Sequence, residues 1–367
     1  MRNWYKEWDE LCRFAGDNAL AAVGSCVALV GIFVNLIVGL SVGPNAVLAN
    51  LIGQNKRDKI NDMLHTILTF GMLLGVILML IGWLSARAIL ELSGTVNVIL
   101  NLVLVIAFGL GVSGVAIATV ISNVLSAAMV IIYLHRRNDE FAFRFHNMRI
   151  EKAYLLKVLQ IGIPSGIQGA IFSVSNVFIQ SGINSFGEYA IAGSSLALNF
   201  EYFTYDIANA FAQAAVTFTS QNYGAGNIKR CKKIFRQCML FGFVFTEILS
   251  LIFIIWGDFF VSIYTTSAMV ASYGLIRMYH VCSLEGLTTT YEVESAALRG
   301  MGKSLEPAIF TILGTVVFRL IWLGTIFKWF PTYEMLMNVY VASWIFTGAA
   351  LFVVYILHMK KVTKTFE

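Results

Sequence analysis

Charged residues along this chain are gathered into short clusters, and the stretches between them run uncharged and mostly apolar over 18–55, 66–86, 92–134, 158–187, 207–228 and 335–357. A membrane-spanning helix needs about 20 mostly apolar residues, so this pattern predicts an all-α integral membrane protein. Crossings are expected at 18–43, 60–86, 113–134, 158–184, 189–220, 233–257, 267–298, 306–328 and 333–358. The run 96–108 is too short to span comfortably and is expected to dip in or lie sideways. Lys and Arg concentrate at 56–59, 135–157, 229–233 with Arg236, 299–303 and 360–364, each between or after apolar segments. By the positive-inside rule these loops face the cytoplasm. The C-terminus is then expected inside and the N-terminus outside.

Sliding the chain against itself reveals an internal repeat. "AGDNALAA" at 15–22 lies over "FGEYAIAG" at 186–193, "IGQNKR" at 52–57 over "YGAGNI" at 223–228, and "TFGML" at 69–73 over "LFGFV" at 240–244. Both copies carry a basic loop at the same place, so the halves share one orientation and form parallel repeats about an axis along the membrane normal. The register breaks beyond Thr95, where "NLVLVIAF" at 101–108 aligns best with "RLIWLGTIF" at 319–327. A segment like 267–313 of the second half therefore has no partner in the first. The counterpart of helix 162–186 is only the polar stretch 1–15. The first half lacks about two helices.

Composition agrees with the pattern: 58% of the 367 residues are apolar, 13% are charged, and mean hydropathy is +0.74. Met1 to Asp17 is polar and mixed in charge, unlike a cleavable signal. Gly109, Gly111 and Gly114 fit the dinucleotide fingerprint G-x-G-x-x-G, but no convincing strand precedes them and the next acidic residue, Asp139, lies beyond another membrane-length segment. The glycines read as a tight connection between membrane segments. Cys12, Cys26, Cys231, Cys238 and Cys282 form no C-x-x-C pair, and the five histidines are dispersed, with no metalloprotease, Walker A or hydrolase-elbow motif. No cofactor and no enzymatic activity is expected, and transport by this chain alone would have to be ion-coupled. The net charge of +5 lies in the loops, without a nucleic-acid-binding motif or interleaved aromatics.

The segments "GDNALAAVGS", "GLSVGPNAVLANLIGQ", "NVILNLVLVIAFGLGVSGVAIATVIS", "IGIPSGIQGAIFSVSNVFIQSGINSFG", "FTSQNYGAG" and "LRGMGKSLEP" together resemble bacterial multidrug and toxic compound extrusion (MATE) transporters over nearly the whole chain. The resemblance implies two six-helix bundles facing each other across a central cavity, and antiport of cationic or amphipathic drugs against H+ or Na+. Here the bundles are expected as an abridged first lobe at 1–134, a cytoplasmic linker at 135–157 and a complete second lobe at 158–367. About nine to ten membrane helices replace the family's twelve. Of the family's first helix only "MRNWYKEWDELCRF" survives, and the fourth falls in the gap, so the first-lobe ion site does not carry over; Asp17 is no substitute.

Charges inside membrane helices are costly, on the order of 2.5–3.5 kcal/mol each on insertion scales, and so mark candidate functional sites. Glu201, Asp206, Asn209 and Gln213 lie on one predicted helix, the last three on one face. Facing a cavity, such carboxylates would bind a cationic drug or exchange it for a proton; bonding between helices is the other role they fit. By resemblance, Asn199, Glu201, Asn209 and Gln213 match polar family positions, whereas Asp206 is unusual. On helix 267–298, Glu285 and Glu292 are expected to share a face, where burial would make them a proton relay; an internal pair with Arg299 or Arg319 is the other role they fit, and the one expected of Glu294. Asn176 and Gln180, one turn apart, complete a polar lining. Their helix lacks the acidic residue of sodium-coupled relatives, which favours protons.

The leading expectation is an exporter of small organic cations in the plasma membrane. The alternatives are an inactive truncated transporter, a membrane partner subunit, and a lipid-linked saccharide flippase, which a basic cavity would favour. Self-association would be one way to restore the missing first-lobe surfaces.

Overall fold

The computed structural model describes residues 35–56, 58–85, 131–139 and 141–366, together with Ile117, Ile121, Val124 and Ala128. The expectations for 18–34, for the run 96–108, for nearly all of the glycine-rich stretch 109–120, and for Asp17, Cys12 and Cys26 lie outside the described residues. The described residues are 88% helical and contain no strand. In chain order the helices are α1 (Asn35–Gly53), α2 (Asp58–Ser85), α3 (Lys152–Asn184), α4 (Glu188–Gly224), α5 (Ile228–Ile255), α6 (Gly257–Tyr264), α7 (Ala268–Cys282), α8 (Thr288–Gly300), α9 (Leu305–Trp329) and α10 (Tyr333–Phe366). Among the described residues α1, α3, α5, α9 and α10 are long and apolar enough to cross a membrane. At 37 residues α4 is longer still, and it carries Asn199, Glu201, Asp206, Asn209 and Gln213 in its middle.

Two compact units result, one of Met1–Asn55 with Leu156–Glu367 and one of Lys56–Leu155. Within the first unit, α1 packs on α3 and α4. Between membrane helices, burial of apolar area adds little over lipid, and close approach of small residues matters more. On α4 the buried positions include Ala190, Gly193, Ser194, Ala197, Ala208, Ala212 and Ala215. Gly166 of α3 admits the backbone of α1, since a Cβ there would sit 2.7 Å from the Leu36 carbonyl. Polar pairs seal α1 against both neighbours: Asn35 donates to Ser173 of α3 at 2.7 Å and Asn45 to Thr217 of α4 at 3.0 Å.

The α1–α4 contact has a symmetry that the internal repeat foreshadows. A Cβ on Gly53 would strike the Gln221 carbonyl, and a Cβ on Gly224 would strike that of Asn50. Gly53 and Gly224 are repeat equivalents, as are Asn50 and Gln221. Each glycine meets the other repeat's polar residue, the exchange expected of a two-fold contact.

Three helix expectations need correction. The helix ending at 43 runs on to Gly53, with Pro44 inside it, and stops where Asn55 turns left-handed at φ 55°. Helix 306–328 contains a π-helical segment, Ile312–Val317. Helix 267–298 is not continuous: α7 ends at Cys282, Glu285–Leu287 form a 3₁₀ turn, and α8 starts at Thr288. There, side-chain bonds replace helix bonds. The Gly286 N–H donates to the Glu247 carboxylate at 2.9 Å, and the Thr288 hydroxyl donates to the Glu285 carbonyl at 2.7 Å.

The unit 56–155 has its own clasp. Asn61 of α2 donates to the Ala142 carbonyl at 2.9 Å, the Arg144 N–H donates to His65 Nε2 at 3.2 Å, and the Glu151 N–H donates to the Thr66 hydroxyl at 3.0 Å. An Arg149–Asp62 ion pair closes it, and the fully buried Phe143 packs on the His65 ring. Outside the membrane segments, hydrogen bonds from Arg137 hold the Asp139 carboxyl below the usual carboxylate range.

Candidate functional site

Helix α4 presents two polar faces. One is buried against α7, the 283–287 break and α8. Glu201 receives a two-pronged bond from Arg277 of α7, Nε to Oε1 at 2.5 Å and Nη2 to Oε2 at 2.8 Å. Arg277 is 1% exposed; it also donates to Ser194 at 2.7 Å, and its guanidinium lies 5.2 Å from the centre of the Tyr340 ring. One turn along α4, Thr204 donates to the Glu285 carboxylate at 2.6 Å, and the neighbouring Tyr205 donates to Glu292 at 2.8 Å. Three of the expected carboxylates are thus gathered by two turns of one helix. Glu285 and Glu292 do not share a face of a continuous helix as expected; one lies in the break and the other on α8, and α4 unites them.

The second face carries Asp206, Asn209 and Gln213 in a row. Asp206 is exposed, Gln213 donates to Asn209 at 3.5 Å, and the row continues through Thr217 to Asn45 of α1. Asp206 lies about five residues, or 140° around the helix, from Glu201. Asn176 belongs to neither face: it accepts from the buried Arg319 at 3.0 Å. Gln180 donates to Asn184 at 3.0 Å, at the exposed end of α3.

The expected pairing of Glu294 is overturned. Glu294 is buried with one carboxylate oxygen unpartnered, because Arg299 reaches across to Gln168 at 2.7 Å and Arg319 is held by Asn176 and by Ser343 at 3.1 Å. Arg319 also faces Tyr340 at 4.7 Å, so two buried guanidinium groups flank one phenol ring. Sequence reasoning missed Arg277 and Glu247, the charged residues that hold Glu201 and the break. Both are isolated charges inside apolar helices, and the same insertion cost that singled out Glu201 would have flagged them. Cys231, Cys238 and Cys282 are buried free thiols, and no metal-binding cluster occurs among the described residues.

The MatE family profile matches residues 11–133 and 164–323. The chain belongs to the MATE family. Members of this family are multi-pass membrane transporters, not enzymes. Relatives include the "Probable multidrug resistance protein YoeA" of Bacillus subtilis, 23% identical over 361 residues that cover 82% of this chain and 77% of that protein. The multidrug export protein MepA of Staphylococcus haemolyticus is 24% identical over 194 residues, 53% of this chain and 41% of that protein. Among solved structures, a MATE protein in complex with MaL6 superposes with a TM-score of 0.83 at 18% identity, covering 98% of this chain and 93% of the other. The MATE transporter VcmN of Vibrio cholerae in its bent form gives 0.77 at 17% identity, over 98% and 93%. This MATE fold accounts for the broken and repeated helices: discontinuous membrane helices are tolerated where they line a cavity or are buried in protein.

Proposed function

We propose that this chain is a secondary active antiporter of the plasma membrane that exports cationic or amphipathic organic compounds in exchange for H+, with Na+ as the alternative coupling ion. The observation that carries the reading is the gathering of Glu201, Glu285 and Glu292 around α4 at a helix break. Their roles differ. Glu201 is neutralised by Arg277 and orients the neighbouring turn of α4. Glu285 accepts from the Thr204 hydroxyl and the Cys282 thiol, Glu292 accepts from the Tyr205 hydroxyl, and neither forms an ion pair among the described residues.

A membrane carboxylate of this kind holds a proton or an organic cation, and each weakens the hold of the other. Exchange between the two at a site that opens to alternate sides couples their flows. The Asp206, Asn209 and Gln213 row supplies hydrogen-bonding groups for the substrate's polar end. The names of YoeA and MepA support the drug-export class, and the absence of an acidic residue over 158–184 of α3 supports protons.

The test is ethidium efflux from cells expressing this chain, with and without a protonophore, beside Glu285→Gln and Glu292→Gln at matched membrane levels. Efflux that collapses with the protonophore and is mostly lost in both variants is the expected result. Efflux absent from well-inserted protein, or indifferent to both substitutions, overturns the proposal.

A further inference from the structure

Where the end of α1 and the end of α4 meet the start of α5, an open cavity of about 860 Å³ combines two kinds of wall. Lys229, Arg230 and Lys233 supply three exposed cations, and among the described residues no carboxylate lines the cavity. None of the three forms an ion pair among the described residues. Ile52, Phe218 and Ile234 supply the apolar wall, with Phe218 51% exposed. The cavity also lies at the N-terminus of the 28-residue α5, whose first turn is capped by Asn227 accepting from the Arg230 N–H at 3.1 Å; that end of a helix favours anions.

Helix α5 is apolar enough to cross the membrane, so its basic start lies at the bilayer surface. Further along it, Leu240, Phe241 and Phe245 are exposed large hydrophobics, the face that acyl chains would cover. A ligand matched to this arrangement has an anionic head at the membrane boundary and hydrocarbon directly below it. A soluble anion would leave the apolar wall unused, and a neutral lipid would leave three cations uncompensated.

We propose that this cavity binds the headgroup of an anionic phospholipid, with Lys229, Arg230 and Lys233 on the phosphate and Phe218 and Ile52 against the glycerol and upper acyl chain. The lipid would occupy the seam where the repeat-related Gly53 and Gly224 cross. Basic pockets between membrane helices are suited to this role.

The experiment uses the full chain in nanodiscs of phosphatidylcholine mixed with phosphatidylglycerol, and measures by native mass spectrometry which lipid the extracted protein retains. Preferential retention of phosphatidylglycerol is expected, and the triple variant Lys229→Gln, Arg230→Gln, Lys233→Gln should lose that preference by on the order of tenfold or more. A control variant, Lys360→Gln, Lys361→Gln, Lys364→Gln, removes as many cations from the end of α10 and should leave it intact. Equal loss in the control, or equal retention in the triple variant, overturns the site. Displacement of the retained lipid by inorganic phosphate at comparable concentration would assign the cavity to a soluble anion and overturn the lipid proposal.

Discussion

At the scale of single residues, the second half of this chain is organised by buried charges whose partners come from distant positions. Glu201 and Arg277 are 76 residues apart in sequence and make a two-pronged ion pair. Removing one member of a buried pair strands the other, at a cost of about 3–5 kcal/mol, whereas replacing both with apolar residues of similar size is often close to neutral. Arg277→Met is therefore expected to lower the thermal midpoint of the detergent-solubilised protein strongly, and Arg277→Met with Glu201→Met to recover most of the loss. A double variant as labile as the single would mean that the pair is not what stabilises this contact. The charges themselves were visible as exceptions in apolar segments. Their pairing was not: Arg299 or Arg319 was the expected partner of Glu294, and the fold sends those arginines to Gln168, Asn176 and Ser343.

At the scale of elements, the interruption between α7 and α8 is held from outside by neighbouring helices. Glu247 of α5 accepts the Gly286 N–H, and Thr204 of α4 fixes the Glu285 side chain. Glu247→Leu strips the acceptor from a backbone N–H with little access to water, a loss of about 1–3 kcal/mol, while Glu247→Gln keeps an oxygen in the same position. Amide exchange at 283–287 should accelerate in the leucine variant and stay near wild type in the glutamine variant. Acceleration in neither would mean that the break needs no external acceptor. The sequence predicted one crossing over 267–298 because no proline or run of turn residues marks the break; the competing hydrogen bonds come from positions that local pattern cannot reach. The π-helical segment 312–317 was equally illegible, although it immediately precedes the buried Arg319.

At the scale of the whole molecule, the repeat and the basic loops make a claim about orientation. Helix α4 rises about 1.5 Å per residue over its 37 residues, more than enough to cross roughly 30 Å of hydrocarbon. Its two ends therefore belong on opposite sides. A cysteine replacing Ser185 should react with a membrane-impermeant maleimide in intact cells, and one replacing Ala225, beside the basic start of α5, only after permeabilisation. The reverse order would reject the cytoplasmic assignment of the basic loops. What the sequence alone determined is what depends on composition and period: a helical membrane protein, an internal parallel repeat, membership of the MATE family, and the set of intramembrane charges that need an explanation. These are legible because the cost of exposing polar groups to lipid acts residue by residue. Only the tertiary structure decided which charges compensate one another, where a helix breaks, and that α1 meets α4 through an exchange of Gly53 and Gly224. Those outcomes depend on which helix faces approach closely, and that is set by packing between segments far apart in the chain.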